Sequence, residues 1–168
     1  MTMAVQKDDG FAMDSIWSLA LGTSTSSDTR TITVTGFSTA VNTVLTAQTF
    51  QNVDQTTPID GTLNNAATGT SVGSTLTLLT TTANDLVFDL FDCFVNSGAI
   101  TATPGAGQAM VHGANLSIVS PSGGIGRYVT SIKPAVGSST TMSWTSNTLA
   151  IIQLAANINY APACSTIT

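Results

Sequence analysis

The sequence predicts an all-β fold, a two-sheet antiparallel sandwich of jelly-roll type with eight to ten strands. Three observations carry that expectation. Only 8% of the residues are charged and glutamate is missing altogether, so strong helix formers are scarce. Thirty of the 168 residues are threonine, a β-branched residue that packs well on a pleated surface. Apolar and polar residues alternate in short segments separated by Gly, Pro, Asn and Asp, which is the period of half-buried strands. Short, regular spacing of these segments favours a sandwich over a barrel or propeller.

The length fits one domain able to bury a core without obligatory staples. Residues 1–15 form an N-terminal arm suited to pairing with a neighbour, 16–161 the sandwich, and 162–168 a C-terminal tail. The opening "MTMAVQKDDGFAMDS" carries charge and no continuous apolar run, unlike a signal peptide or membrane anchor. The expectation is a protein that stays where it is made, for assembly into a particle, or one whose leader has been lost.

The first element lies in "GFAMDSIWSLALGT", with Phe11, Ile16, Trp17, Leu19 and Leu21. Gly, Ser and Thr surround it and no polar helix face exists, so "IWSLAL" is a strand rather than a helix starting at Asp14. "TRTITVTGF" sets Ile32 and Val34 on one face and Thr31, Thr33 and Thr35 on the other; "TVLTAQTFQNV" continues the alternation. "DQTTPIDGTLNNAATGTSVG" holds Pro58, Asp60-Gly61 and Asn64-Asn65, the chemistry of a surface loop with a short edge strand near Ile59. "STLTLLTTT" is a strand with Leu76 and Leu78 inward.

In "TTANDLVFDLFDCFVNSGAI", Leu86, Phe88, Leu90 and Phe94 share one face and Val87, Phe91, Cys93 and Val95 the other. That is a central strand covered on both sides, by sheet contacts on one and by a loop or neighbouring subunit on the other. "TATPGAGQ" is a loop, "AMVHGANLSIVS" a strand, and Pro121, Gly123 and Gly124 a turn. "GRYVTSIKPA" is a strand that ends near Pro134. In the last segment Met142 and Trp144 point one way before a turn at Ser146 and Asn147. Ile152, Leu154, Ala156, Ile158 and Tyr160 then form a long apolar row.

Taken together, "FQNVDQTTPID", the Asn/Gly/Thr loop, "STLTLLTTTANDLVFDLF", "TPGAGQ", the "VGSSTTMSWT" hairpin and the terminal hydrophobic strand resemble a widespread prokaryotic β-sandwich domain. Such domains occur in secreted, cell-surface and bacteriophage-associated proteins. The resemblance spans roughly Trp17 to Tyr160 and implies a structural or adhesive module rather than an active site. Its usual first strands are short here, which implies a trimmed sandwich or a first strand from "MTMAVQKDD" paired with a neighbour.

The chemistry-bearing residues are few. Net charge is -5, and Lys7, Arg30, Arg127 and Lys133 are the only basic side chains, too few to neutralise a nucleic-acid backbone. Strand parity puts Asp85 and Asp89 on one face and Asp92 on the other, so the three do not form one cluster. Asp85 reads as a turn residue at the strand entry. Asp89, between Val87 and Phe91, calls for a structural hydrogen bond or edge exposure, with an interface ion pair to Arg30 or Arg127, or calcium, as alternatives. Asp54 with Asp60 is a second, weaker calcium candidate, more simply read as solvated; the dense ligand spacing of an EF-hand is missing.

His112 is the single histidine and reads as a structural or solvent-facing strand residue rather than a zinc ligand with Cys93 and Cys164. Those two cysteines read as separate thiols, with one bridge from the tail to a central strand as the alternative. "SGGIG", Ser122 to Gly126, reads as a hairpin turn, since a phosphate loop would need a lysine and a following helix. Nucleophilic catalysis would need His112 to reach an activated Ser or Cys, and glycoside hydrolysis would need two carboxyl groups converging on one site. Trp17, Trp144, Tyr128 and Tyr160 read as core residues rather than a sugar platform.

The expected function is therefore a non-enzymatic structural protein with no catalytic, metal or cofactor-binding residues. A bacteriophage virion component such as a capsid decoration (cement) protein on the virion surface comes first. An extracellular or cell-surface adhesive or filament subunit, or a carbohydrate-binding module, is the alternative. The partners expected are further copies of the chain, as a trimer or higher assembly, and a major capsid or other particle protein. A glycan is a further candidate ligand; nucleic acid and membrane insertion are not expected.

Overall fold

The computed structural model describes residues 1–10, 12–22, 31–35, 43–68, 73–95, 98–112, 117–119, 125–148 and 150–161. Within these the chain forms eleven strands. They are β1 (Thr2–Asp8), β2 (Met13–Ser18), β3 (Ile59–Thr68), β4 (Ser74–Leu78), β5 (Leu86–Val95), β6 (Ala102–Pro104), β7 (Ala109–His112), β8 (Ser117–Val119), β9 (Ile125–Pro134), β10 (Thr140–Ser146) and β11 (Ala150–Ile158). All the ladders are antiparallel.

The all-β expectation holds, but the strands lie in three sheets rather than in a closed two-sheet jelly roll. A six-stranded sheet runs β3-β11-β5-β9-β7, with β8 also paired to β9. A three-stranded sheet runs β4-β10-β6, and β1 and β2 make a separate hairpin. The reason lies in β5 and β11, which are apolar on both faces. On one face Val87, Phe91, Cys93, Val95, Ile151 and Ala155 pack against Leu76, Leu78, Ala102, Met142 and Trp144 of the three-stranded sheet. On the opposite face Ile152, Leu154, Ala156, Phe88 and Leu90 pack under Val5 and Ile16 of the hairpin. A strand with two apolar faces is stable only when both are covered, and one sheet on one side cannot do that. Each fully buried aliphatic side chain of this kind contributes about 1.5–3 kcal/mol, enough to hold the hairpin as a third layer.

Residues 1–15, expected as an arm, supply β1 and the start of β2, and Val5 pairs with Ile16 in the same chain. The strand at "IWSLAL" is present as Met13–Ser18. The covering of the second face of β5, expected from a loop or a neighbour, comes from this hairpin.

Three expectations are corrected. The segment around Asp60-Gly61 and Asn64-Asn65 is a ten-residue edge strand and not mainly a loop. Its turn-favouring residues are overridden by the ladder to β11, and Gly61 serves a close approach: a Cβ there would collide with Thr80 Oγ1. Thr31–Thr35 is irregular, with Ile32 and Val34 exposed. Residues 43–53 hold only an isolated bridge, Val53 to Tyr160. Alternation alone makes no strand where no partner offers a ladder. The segment does reach the sheet, since Phe50 meets Phe88 edge-on with ring centroids 6.0 Å apart.

The "TATPGAGQ" loop includes the short strand β6, paired to β10. "AMVHGANLSIVS" supplies two strands, β7 and β8, both paired to β9. The turn at Ser122–Gly124, Phe11, Arg30 and Cys164 lie outside the described residues.

Candidate functional site

The central strand β5 positions the aspartates that drew notice in the sequence. Parity separates Asp89 from Asp92 as expected, and Asp85 precedes the strand. The three carboxylates do three different jobs.

Asp89 is fully buried between the six- and three-stranded sheets. It accepts hydrogen bonds from Trp144 Nε1 at 2.7 Å, Gln153 Nε2 at 3.0 Å, Ser131 N at 3.2 Å and Ser131 Oγ. Donors from β9, β10 and β11 thus converge on one acceptor of β5. Burial raises its pKa, and the hydrogen bonds from Ser131, Trp144 and Gln153 oppose that rise. The ring of Trp144 stacks on Phe91 at 5.2 Å with 7° between planes, so the donor is held in place by the core itself. The structural hydrogen bond expected of Asp89 is present.

Asp85 closes a turn. Thr82 N and Oγ1 donate to it at 2.8 and 2.9 Å, Asn157 Nδ2 at 2.9 Å and Tyr160 N at 3.0 Å. Burial works against its ionisation, yet these donors outweigh burial and hold the carboxyl below its ordinary range. Asn157 Nδ2 also reaches Asp60 Oδ1 at 2.7 Å, tying β3, the β5 entry and the end of β11 together. Asp54 and Asp60 are not brought together as a cation site. Asp54 caps Thr56 N at 2.7 Å and Thr57 N at 2.9 Å, while Asp60 turns to Asn157. Those backbone donors lower the pKa of Asp54.

Asp92 lies on the opposite face of β5, under the hairpin, where the sequence reading missed its counterpart. Asp14 of β2 is buried in the same interlayer. Its position was legible in principle, because Asp14 and Ile16 alternate on one face of a strand and Ile16 is core. Gln153 and Asn157 were missed for the same reason, as both share a face with Ile151 and Ala155.

His112 Nε2 lies 2.9 Å from Gln48 Oε1, and Cys93 Sγ donates to Arg127 O at 3.3 Å. Among the described residues no three His, Cys or Asp side chains are grouped so that they could hold a metal ion. Open grooves lie among the described residues. One, of about 420 Å³, runs between β1 and the start of β3 past Met3, Thr57 and Asp60. The other, of about 270 Å³, is floored by Phe50, Leu86, Ile158 and Tyr160. Neither contains the Asp89 network, whose acceptor already takes four donors.

No family model, curated protein or solved structure matches this chain.

Two of the four aromatic positions are corrected. Trp144 is core and Tyr128 half-buried, but Trp17 is 52% exposed and Tyr160, past the end of β11, is 41% exposed. Trp17 alternates with Ile16, which faces inward, so it must face out.

Cys93 offers a direct test of how tightly this centre is closed. Burial, and then the neighbouring Asp92, push its thiol up to about 12, with Arg127 pulling the other way. A thiol reagent at pH near 8, where a free cysteine is partly thiolate, should leave Cys93 unlabelled in native protein and label it fully in urea. Peptide mapping by mass spectrometry reads this out, and rapid native labelling of the Cys93 peptide would show an open centre.

Proposed function

We propose that the chain is a non-enzymatic structural protein that assembles on a larger particle, first of all as a virion component such as a capsid decoration protein. The observation that carries this reading is the outer face of the hairpin. Met3 and Trp17 are register partners on that face, Met13 follows on it, and Met1, Leu19 and Leu21 extend the exposed apolar surface. A surface with so few charges has little with which to mask such a patch, and contiguous exposed apolar residues of this kind mark protein contact sites. The β-sandwich resemblance in the sequence, which points to structural and adhesive modules, supports the same reading.

Self-association and a particle protein are the partners proposed. Light scattering on chromatographed protein, with electron microscopy of the material from its source, tests this. The expected result is a trimer or larger assembly and regular copies on a capsid or fibre. Met3→Thr with Trp17→Thr should yield a folded monomer, because threonine keeps the strand propensity and removes the apolar contact. A wild-type chain that stays monomeric at high concentration and decorates no particle overturns the reading.

The exposed Trp17 favours one second reading, a carbohydrate-binding or adhesive module at the cell surface, since an exposed aromatic ring is what a sugar stacks on. Glycan-array binding lost in Trp17→Thr would establish it.

A further inference from the structure

The hairpin β1–β2 has its own two-stranded ladder and no strand pairing to the rest of the described chain. Val5 and Ile16 anchor it to the central sheet through Ile152, Leu154 and Ala156. A lone hairpin is marginal in water, so its order depends on that interlayer.

Two carboxyl groups sit there. Asp14 shares the inward face of β2 with Ile16, and Asp92 lies beside Ile152 in the β5–β11 ladder, so the two belong to the same layer boundary. Asp14 is 8% exposed and Asp92 6% exposed. Asp14 Oδ2 and Asp92 Oδ1 are both buried with no hydrogen-bond partner among the described residues. Two buried carboxylates with open lone pairs repel one another across this boundary, whereas a protonated pair does not.

We infer that the β1–β2 hairpin is a pH-releasable latch, held on the central sheet while Asp14 and Asp92 retain a proton and pushed off when both ionise. The surroundings fit. Asp9 in the hairpin turn adds negative charge, and Lys7, the register partner of Asp14, is the cation on the inward side of β1. From β9, Tyr128 is the register partner of Asp92; β11 and β3 add no titratable group to this face except Asp60, which is engaged with Asn157. From β7, His112 lies opposite Thr130, next along β9, and meets Gln48. One ammonium can offset one carboxylate at most.

Burial, and then Asp9, raise Asp14 to about 7; burial, and then Asp14 and Asp9, raise Asp92 to about 8. Tyr128 is pushed up as well, by burial first and then by Asp92 and Asp14. Values raised above the ordinary 3.8 mean that the docked hairpin holds protons which the released one gives up. Docking is therefore strongest below about pH 4 and weakens as pH rises to about 8, beyond which the loss is complete. The latch does not rest on the assembly reading, because both carboxyl groups belong to one chain and face away from Met3 and Trp17.

Hydrogen exchange by mass spectrometry on the full chain tests it at about pH 5 and about pH 9, corrected for the intrinsic pH dependence of exchange. Protection of residues 2–18 should fall at least about tenfold at the higher pH, a factor one pKa unit already supplies, while β5 and β11 change less. Asp92→Asn or Asp14→Asn alone should lessen the fall, since burial still acts on the carboxyl that remains. Asp14→Asn with Asp92→Asn should keep the hairpin protected at both pH values, and the single variants serve if the double variant folds poorly. Equal hairpin protection at the two pH values in wild type overturns the latch. So does a fall at high pH that is undiminished in both single variants or persists in the double variant, or one reversed by calcium alone, which would make the pair a cation site instead.

Discussion

Replacing Asp89 with alanine is expected to cost about 3–5 kcal/mol, a large loss for a single polar substitution. The carboxylate is the common acceptor for Trp144, Gln153 and Ser131, and alanine takes the acceptor away from the buried Trp144 Nε1 and Gln153 Nε2, while the Ser131 hydroxyl keeps only the bond it accepts from Gln108. It also opens a space under the Phe91–Trp144 stack. Urea unfolding followed by tryptophan fluorescence should show a lower midpoint with an unchanged slope. Asp89→Asn keeps the volume and one acceptor oxygen, and should lose roughly half as much. If alanine costs less than about 1 kcal/mol, the donors have found water and the network does not tie the two sheets together.

Leu154→Ala is the second large effect, at about 2–5 kcal/mol. Leu154 is fully buried, on the face of the central sheet that the hairpin covers. In a two-layer sandwich with that face in water, the same truncation would fall within about 0.5 kcal/mol. The comparison with Val87→Ala, on the opposite face, makes the test sharper. Val87 and Leu154 both lie in dry layers here, so both truncations should be expensive. A cheap Leu154→Ala beside a costly Val87→Ala would show that the hairpin does not seal its layer.

How far the sequence made these features legible depends on what each segment pairs with. The apolar runs in β5 and β11 declare themselves, and so does the alternation of β4, because their side chains carry the burial pattern locally. β3 does not, since Asp, Gly and Asn are recruited into its ladder by β11 and not by their own preference. Ile32 and Val34 alternate as a strand should but have no partner strand among the described residues, which no local pattern can reveal. The Asp89 network was half legible: the buried acceptor could be read from Val87 and Phe91, while its donors come from residues 42 to 64 positions away in the chain. The Asp14–Asp92 pair was hidden because the two residues are far apart in the chain and no ladder joins their strands, so only the packing of the hairpin on the central sheet brings them to one layer boundary.

The position of β11 has a consequence for synthesis on the ribosome. It comes last in chain order among the described strands, yet it lies between β3 and β5 and is paired to both. A nascent chain that stops short of Ala150 therefore has β3 without its neighbour and both layer boundaries without Ile151, Ile152 and Leu154. Such an intermediate exposes two unpaired strand edges and the apolar residues meant to meet β11, the features that invite aggregation. The sheet must wait for a strand made after both of its neighbours, and chaperone protection during translation should matter more to its yield than to that of a protein whose central strand is made first.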